Sequence, residues 1–167
     1  VGGRIGTPMI VRLGSALLML GLVTACEPDI TRQIGLMRSG QDIVVFFKRC
    51  SDDETDITRI VLWEMHGQRI GDRDDKLLWE VVSNGEMEVS SFTLGVAPSG
   101  FSTVRALDAV PASTQKLALE IYTDNDSFPT ASMTFTREQL RDGSVFHLAS
   151  KGTEFLTVDA FRAKSVC

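Results

Sequence analysis

The chain has 167 residues, of which 43% are hydrophobic and 23% charged, a balance typical of a folded globular protein and not of a disordered one. The formal net charge is −5, and the first 25 residues hold Arg4 and Arg12 but no acidic residue, so the rest of the chain is more acidic still. An acidic domain without a Lys/Arg cluster is poorly suited to bind nucleic acid or an anionic lipid surface through its folded face. The length allows one domain, or one domain with an appended segment.

A short apolar run near the N-terminus predicts export. It extends from residue 13 to residue 23, follows Arg12, and would rise only about 16 Å as a helix, roughly half of a bilayer core. A basic flank, a short apolar core and small residues at the exit are the parts of a secretory signal. We therefore expect a helical signal peptide over residues 1–25. Because Met9 would open a compact version of it, we interpret residues 1–8 as a start-site extension.

The end of this run resembles the lipobox of bacterial lipoproteins. Val23-Thr24-Ala25-Cys26 places an aliphatic residue and two small residues before a cysteine. The resemblance, which covers about residues 9–26, implies that Cys26 receives a diacylglyceryl group and that the chain is cut just before it. It also implies an envelope protein held on the outer face of the cytoplasmic membrane, since two or three acyl chains anchor stably. Two alternatives stay open: ordinary secretion after cleavage, and a buried helix of the fold.

Lipid attachment at Cys26 would use one of three cysteines and leave Cys50 and Cys167. An even pair in an exported protein predicts a disulfide bond between them, because such bonds persist in oxidising compartments. The alternative is a pair of buried thiols. Metal ligation is not expected, since no CxxC motif or Cys/His spacing accompanies these cysteines.

After a short tether at residues 26–30, we expect a single domain over residues 31–167. Residues 43–47 are continuously apolar, which predicts a central strand buried on both faces. The runs 60–65 and 77–82 predict paired strands joined by a long polar loop. Trp63 and Trp79, one in each run, are expected to lie near each other as core anchors.

Two later segments alternate with period two, as half-buried strands do. The residues predicted to point inward are Leu117, Leu119 and Ile121, then Ala131, Met133 and Phe135. Those predicted to point outward in the first of these segments are Lys116, Glu120 and Tyr122.

Helical signals are short and lie near the C-terminus. Thr136 and Gln139 have the spacing of a capping box, with Gly143 as a stop, and Thr157 can cap a second short helix that contains Phe161. Many short strands with few helices predict a mainly β fold, an antiparallel β-sandwich. Cys50 followed by Trp63 resembles an immunoglobulin-like arrangement. The second cysteine at the chain end and the lack of Tyr-x-Cys depart from that pattern, so the immunoglobulin label stays open.

Few residues suggest catalysis or metal binding. His66 and His147 lie near predicted strand ends, and no G-x-S-x-G nucleophile motif is present. Weak calcium candidates lie in acidic loops, at Asp72, Asp74, Asp124 and Asp126. None of these loops has the Gly and Glu that an EF-hand needs at its sixth and twelfth positions, so polar loops that keep the domain soluble are the simpler interpretation. We expect no cofactor and no resident metal.

These features favour a non-catalytic binding module of the cell envelope whose partner is a protein, a glycan or a small ligand. One alternative is a carrier that holds an apolar molecule between its sheets, lined by Phe46, Phe47, Trp63 and Trp79. Another is a weak hydrolase that pairs His66 or His147 with a Ser and an Asp.

A second resemblance rests on three features of the domain. The turn at residues 95–101, the pair Cys50 and Cys167, and the late Phe161 resemble uncharacterised envelope lipoproteins of actinobacterial type. This resemblance implies no specific function.

Overall fold

The computed structural model describes residue 2 and residues 34–48, 56–68, 70, 74–85, 89–123, 128–149 and 152–164. Apart from residue 2, the predicted signal peptide, the lipid site and the tether lie outside the described residues. Within the described residues, ten strands form two sheets of five strands each, and all neighbouring strands are antiparallel.

Sheet A consists, in spatial order, of β10 (Gly152–Leu156), β9 (Val145–Ala149), β1 (Ile34–Ser39), β2 (Asp42–Phe47) and β5 (Ser91–Thr93). Strands β1 and β2 form a tight hairpin, in which Ser39 pairs with Asp42. Gly40 has a φ of +62°, the left-handed conformation that a two-residue hairpin loop favours.

Sheet B consists, in spatial order, of β6 (Phe101–Arg105), β4 (Lys76–Ser83), β3 (Ile57–Glu64), β7 (Leu117–Thr123) and β8 (Ala131–Phe135). The polar segment between β3 and β4 is the hairpin connection that the sequence predicts. Strands β3 and β7 lie inside the sheet, whereas β6 and β8 are its edges.

The core lies between the two sheets. The residues predicted to point inward from β7 and β8 are at most 2% exposed, and they join one cluster with side chains of sheet A. The rings of Trp79 from sheet B and Phe92 from sheet A meet across the interface, with centroids 6.2 Å apart. The predicted mainly β, antiparallel β-sandwich is therefore confirmed.

Strand β2 is buried on both faces, as its continuous apolar run predicts. Ile43, Val45 and Phe47 belong to the core between the sheets. Phe46 points to the opposite face, where it forms a second cluster with Val145 and Phe161. The covering element is helix α1 (Val158–Ala163), so this outer face of sheet A is shielded from solvent.

Helix α1 begins at the predicted cap, since the Thr157 hydroxyl accepts a hydrogen bond from the Ala160 N–H at 3.1 Å. Its Phe161 ring packs on Gly35 of β1. A Cβ atom at Gly35 would lie 2.5 Å from Val145 Cγ1 and 3.0 Å from Phe161 Cζ. The absence of a side chain at this position lets the helix contact the sheet directly.

The other predicted helix is a single 3₁₀ turn, Arg137–Gln139. The Thr136 N–H donates to Gln139 Oε1 at 2.7 Å, which is one of the two hydrogen bonds of a capping box. The helix ends at Gln139, before the predicted stop at Gly143. Gly143 adopts a φ of +69° in a turn further along the chain.

The placement of the two tryptophans corrects one prediction. Trp79 is fully buried in the core, but β4 pairs it with Leu62, and Trp63 pairs with Leu77 beyond a register shift. Because successive residues of a strand point to opposite faces, Trp63 lies on the outer face of sheet B. Trp63 is therefore not a core anchor, and it does not supply the core tryptophan of an immunoglobulin-like arrangement.

Candidate functional site

The outer face of sheet B carries a group of interacting polar and aromatic side chains. Val61 of β3 pairs with Glu80 on one side and Glu120 on the other, so these two carboxylates share its face. We name the group the Glu120 cluster. Its members are Arg59, Trp63, Glu80, Glu120 and Tyr122.

Glu120 is at the centre of the cluster and is only 7% exposed. Its Oε2 accepts a hydrogen bond from Trp63 Nε1 at 2.8 Å and another from the Tyr122 hydroxyl at 2.9 Å. Burying a charged group is costly unless it is hydrogen-bonded, and these two donors compensate for the lost water. The sequence pattern correctly predicts that Glu120 points outward, but not that two aromatic side chains cover it.

Arg59 connects Glu80 to Tyr122 within the cluster. Its Nε donates to Glu80 Oε1 at 2.7 Å, and its guanidinium carbon lies 5.1 Å from the centroid of the Tyr122 ring. This distance is within the range of a cation–π contact. The Glu80 side chain is 14% exposed, so the ion pair is shielded from water on its acidic side.

The surroundings of Tyr122 keep its hydroxyl protonated. Burial raises its pKa to about 12, with further upward contributions from the charge of Glu120 and from the hydrogen bond to it. Arg59 acts in the opposite direction. Tyr122 is therefore a neutral hydrogen-bond donor over the whole physiological range.

A cleft of about 190 Å³ lies at one end of this face. Leu77 and Leu78 of β4 contribute to its lining, together with Leu107 and Pro111 from the connection between β6 and β7. Leu77 is also the cross-strand partner of Trp63, so the cleft begins beside the Glu120 cluster.

The two histidines are associated with different sheets. His147 is fully buried on the outer face of sheet A, with Nδ1 3.4 Å from the Ile34 carbonyl oxygen and its ring edge-on to Phe161. His66 follows β3 of sheet B, is half exposed and lies 3.6 Å from Glu64. The two imidazoles therefore belong to different sheets of the sandwich.

Most of the predicted site residues lie outside the described part of the chain. This is true of Cys26, Cys50 and Cys167, and of the calcium candidates Asp72, Asp124 and Asp126. Asp74 is described and is exposed in the turn before β4. Across residues 34–164, outside the gaps in that range, no group of three or more His, Cys, Asp or Glu side chains is arranged to hold a metal ion.

The four aromatic residues predicted to line an apolar cavity do not converge. Phe47 and Trp79 belong to the core between the sheets, whereas Phe46 lies under α1 and Trp63 lies on the outer face of sheet B. Sequence reasoning missed the Glu120 cluster because its members come from three strands. Alternation places each residue on a face, but only the register of β3, β4 and β7 brings them together.

Comparisons with protein-family models, with curated proteins and with solved structures found no match to this chain.

Proposed function

We propose that this chain is an exported lipoprotein, anchored by lipid on Cys26 to the outer face of the cytoplasmic membrane, and that its β-sandwich is a non-catalytic binding module. The lipobox-like residues 23–26 support the anchor. None of the helices in the described part of the chain has the length and apolar composition needed to cross a bilayer.

The Glu120 cluster is the observation that carries the binding role. A buried carboxylate contributes little net stability compared with apolar packing, so its position on an outer sheet face favours recognition as its purpose. The hydrogen bonds from Trp63 and Tyr122 fix its orientation before any ligand arrives. Preorganised polar groups lose less entropy on binding, which favours affinity.

The cleft supports a second candidate function, the binding of a small ligand. It is below the several hundred Å³ typical of pockets that enclose a whole drug-sized molecule. A ligand small enough for this cleft would lie at the surface beside Leu77. The carrier alternative requires instead a cavity between the sheets.

The disulfide between Cys50 and Cys167 belongs to the same proposal. Lys48 Nζ donates to the carbonyl oxygen of Arg162 at 2.7 Å and also to that of Lys164. These contacts hold the end of β2 against the end of α1, and each cysteine follows within three residues. A covalent link there would reinforce a contact that the fold already makes.

Replacing the lipid-bearing residue tests the anchor. In the Cys26→Ala variant we expect the protein to leave the detergent-rich phase of a detergent partition and to leave the membrane fraction, because the thiol that accepts the lipid is gone. The control is Cys50→Ser, which also removes a thiol but should stay with the membrane. Identical partitioning of the parent and Cys26→Ala would contradict the lipoprotein assignment.

A further inference from the structure

We propose that the Glu120 cluster binds a neutral carbohydrate chain. This inference rests on the proposed function and names the ligand class of the same surface. Sugars present apolar C–H faces and hydroxyl groups side by side, and the cluster offers partners for both.

The two aromatic residues are spaced along the outer face of sheet B. Trp63 lies opposite Ala118, whereas Tyr122 lies opposite Arg59, so the two stand four residues apart along β7, about 13 Å in an extended strand. Both residues are partly exposed to solvent. One sugar unit can therefore contact the Trp63 ring, whereas Arg59 lies over the Tyr122 ring and offers its N–H donors to the next unit.

The polar groups between the rings match hydroxyl chemistry. Trp63 and Tyr122 both donate to Oε2 of Glu120, so a ligand hydroxyl that reaches this 7% exposed carboxylate would donate to its other oxygen, Oε1. Arg59 has five N–H donors, and its Nε bond to Glu80 uses only one of them. The cluster thus offers both an acceptor and donors whose positions the fold already fixes.

The charges of the cluster select against ionic ligands. Two carboxylates and one guanidinium leave it net negative, in a chain whose own net charge is −5, so phosphates and acidic glycans are repelled. A ligand cation would have to compete with Arg59, which already occupies the position over the Tyr122 ring. A neutral, hydroxyl-rich ligand meets neither obstacle.

The neighbouring strand β8 carries short polar side chains on the same face of the sheet. Ser132 of β8 pairs with Glu120, and Thr134 pairs with Ala118. Strand β8 is an edge of sheet B, where Ser132 is buried and Thr134 is partly exposed. A chain that contacts Trp63 can therefore extend across Ala118 toward Thr134, which belongs to the same cross-strand row.

Binding of the full chain, solubilised in detergent, to beads carrying single polysaccharides tests the proposal. The probes are a neutral glucan, a neutral mannan and a neutral galactan, with acidic alginate as the charged comparison. We expect retention on at least one neutral polymer and none on alginate. Trp63→Ala should weaken retention about tenfold, the effect of losing one well-placed aromatic contact.

Two further variants separate recognition from folding. Trp63→Phe keeps a ring but loses the N–H to Glu120, and we expect it to retain part of the affinity. Val96→Ala removes an exposed apolar group beside sheet A and should bind like the parent. Circular dichroism of each variant reports whether the sandwich is intact.

The outcomes distinguish this inference from the proposed function. Retention by none of the neutral polymers, or equal retention of folded Trp63→Phe, Trp63→Ala and parent, overturns the carbohydrate assignment. If the parent then binds isolated cell envelopes in a manner that Trp63→Ala abolishes, the surface is still a binding face, with another partner. If Trp63→Ala alters neither form of binding, both proposals fail.

Discussion

Glu120 is the central hydrogen-bond acceptor on the outer face of sheet B. Its Oε2 accepts from two aromatic donors on two different strands, and the whole residue is 7% exposed. Hydrogen bonds to an ionised acceptor are stronger than those between neutral groups, so the carboxylate holds both rings in place. The position of Trp63 and Tyr122 on the surface therefore depends on a charge beneath them.

The titration of Tyr122 measures this dependence directly. It is the one tyrosine in the sequence, so phenolate absorbance reports it alone. We expect a pKa of about 12 in the folded protein, raised by burial first and then by Glu120, against about 10 in denaturant. Because the folded state holds the proton more tightly, Tyr122 stabilises the fold below pH 10, and this contribution is lost as the pH rises from about 10 to 12.

The Glu120→Gln variant separates the two causes. Removing the negative charge should lower the pKa of Tyr122 toward its ordinary value, although burial still keeps it somewhat raised. Glu138→Gln, in the exposed 3₁₀ turn, is the matched control and should leave the titration unchanged. A midpoint near 10 in the native parent, with its circular dichroism intact, would refute the buried hydrogen bond.

At the scale of single elements, the docking of α1 depends on the absence of one side chain. Phe161 fills the space over Gly35, bounded by Val145, which is itself fully buried. Val145 is β-branched and stiff at χ1, so it cannot easily move away from a new methyl group. The fit of the helix on sheet A is thus set by β1 and β9 together.

Gly35→Ala should therefore destabilise the domain, by about 1–3 kcal/mol as for other overpacked cores. Urea unfolding measures the loss. Gly85→Ala is the control because nothing lies within 4 Å of the added methyl group, and it should change stability little. In a Val145→Ala background the same substitution at Gly35 should cost less, since the closest contact has been removed. Equal stabilities of Gly35→Ala and Gly85→Ala would show that α1 does not pack as described.

The strands also show what local patterns can and cannot predict. Alternation places Leu117, Leu119 and Ile121 in the core because burial on one face imposes period two. Two similar runs suggest that Trp63 and Trp79 are aligned partners in the core, but antiparallel pairing sets Trp79 against Leu62. Register depends on contacts between distant segments, and a single strand carries no signal for it.

The same limit explains why the Glu120 cluster was not predicted from the sequence. Glu80 and Arg59 pair across β4 and β3, the contacts of Trp63 with Glu120 and of Arg59 with Tyr122 cross from β3 to β7, and the Tyr122–Glu120 hydrogen bond lies within β7. Each residue alone is an ordinary outward-pointing side chain. Only the completed sheet brings them within hydrogen-bond distance.

At the scale of the whole molecule, the contact between Lys48 and α1 joins the end of β2 to the end of the C-terminal helix. Lys48 Nζ donates to the Arg162 carbonyl oxygen at 2.7 Å, and Lys164 pairs in turn with Glu154 of β10. Cys50 is two residues beyond Lys48, and Cys167 is three residues beyond Lys164. An extended chain spans about 3.3–3.6 Å per residue. The two residues after Lys48 and the three after Lys164 are therefore long enough to bring Cys50 and Cys167 toward each other.

A Cys50–Cys167 bond would close a loop of over 100 residues. In the chain-entropy model, closing such a loop lowers the conformational entropy of the unfolded chain and so stabilises the fold by about 4.7 kcal/mol. We expect proteolytic digestion of the exported protein without reductant to yield one linked peptide containing both cysteines. Reduction should lower the free energy of unfolding by up to that amount, because native strain subtracts from it. The Cys50→Ser, Cys167→Ser double variant should have the same free energy of unfolding as the reduced parent, with or without added reductant. If both thiols of freshly exported protein react with an alkylating reagent before any reduction, β2 and α1 are held together by Lys48 and the packing of Phe161 without a covalent link.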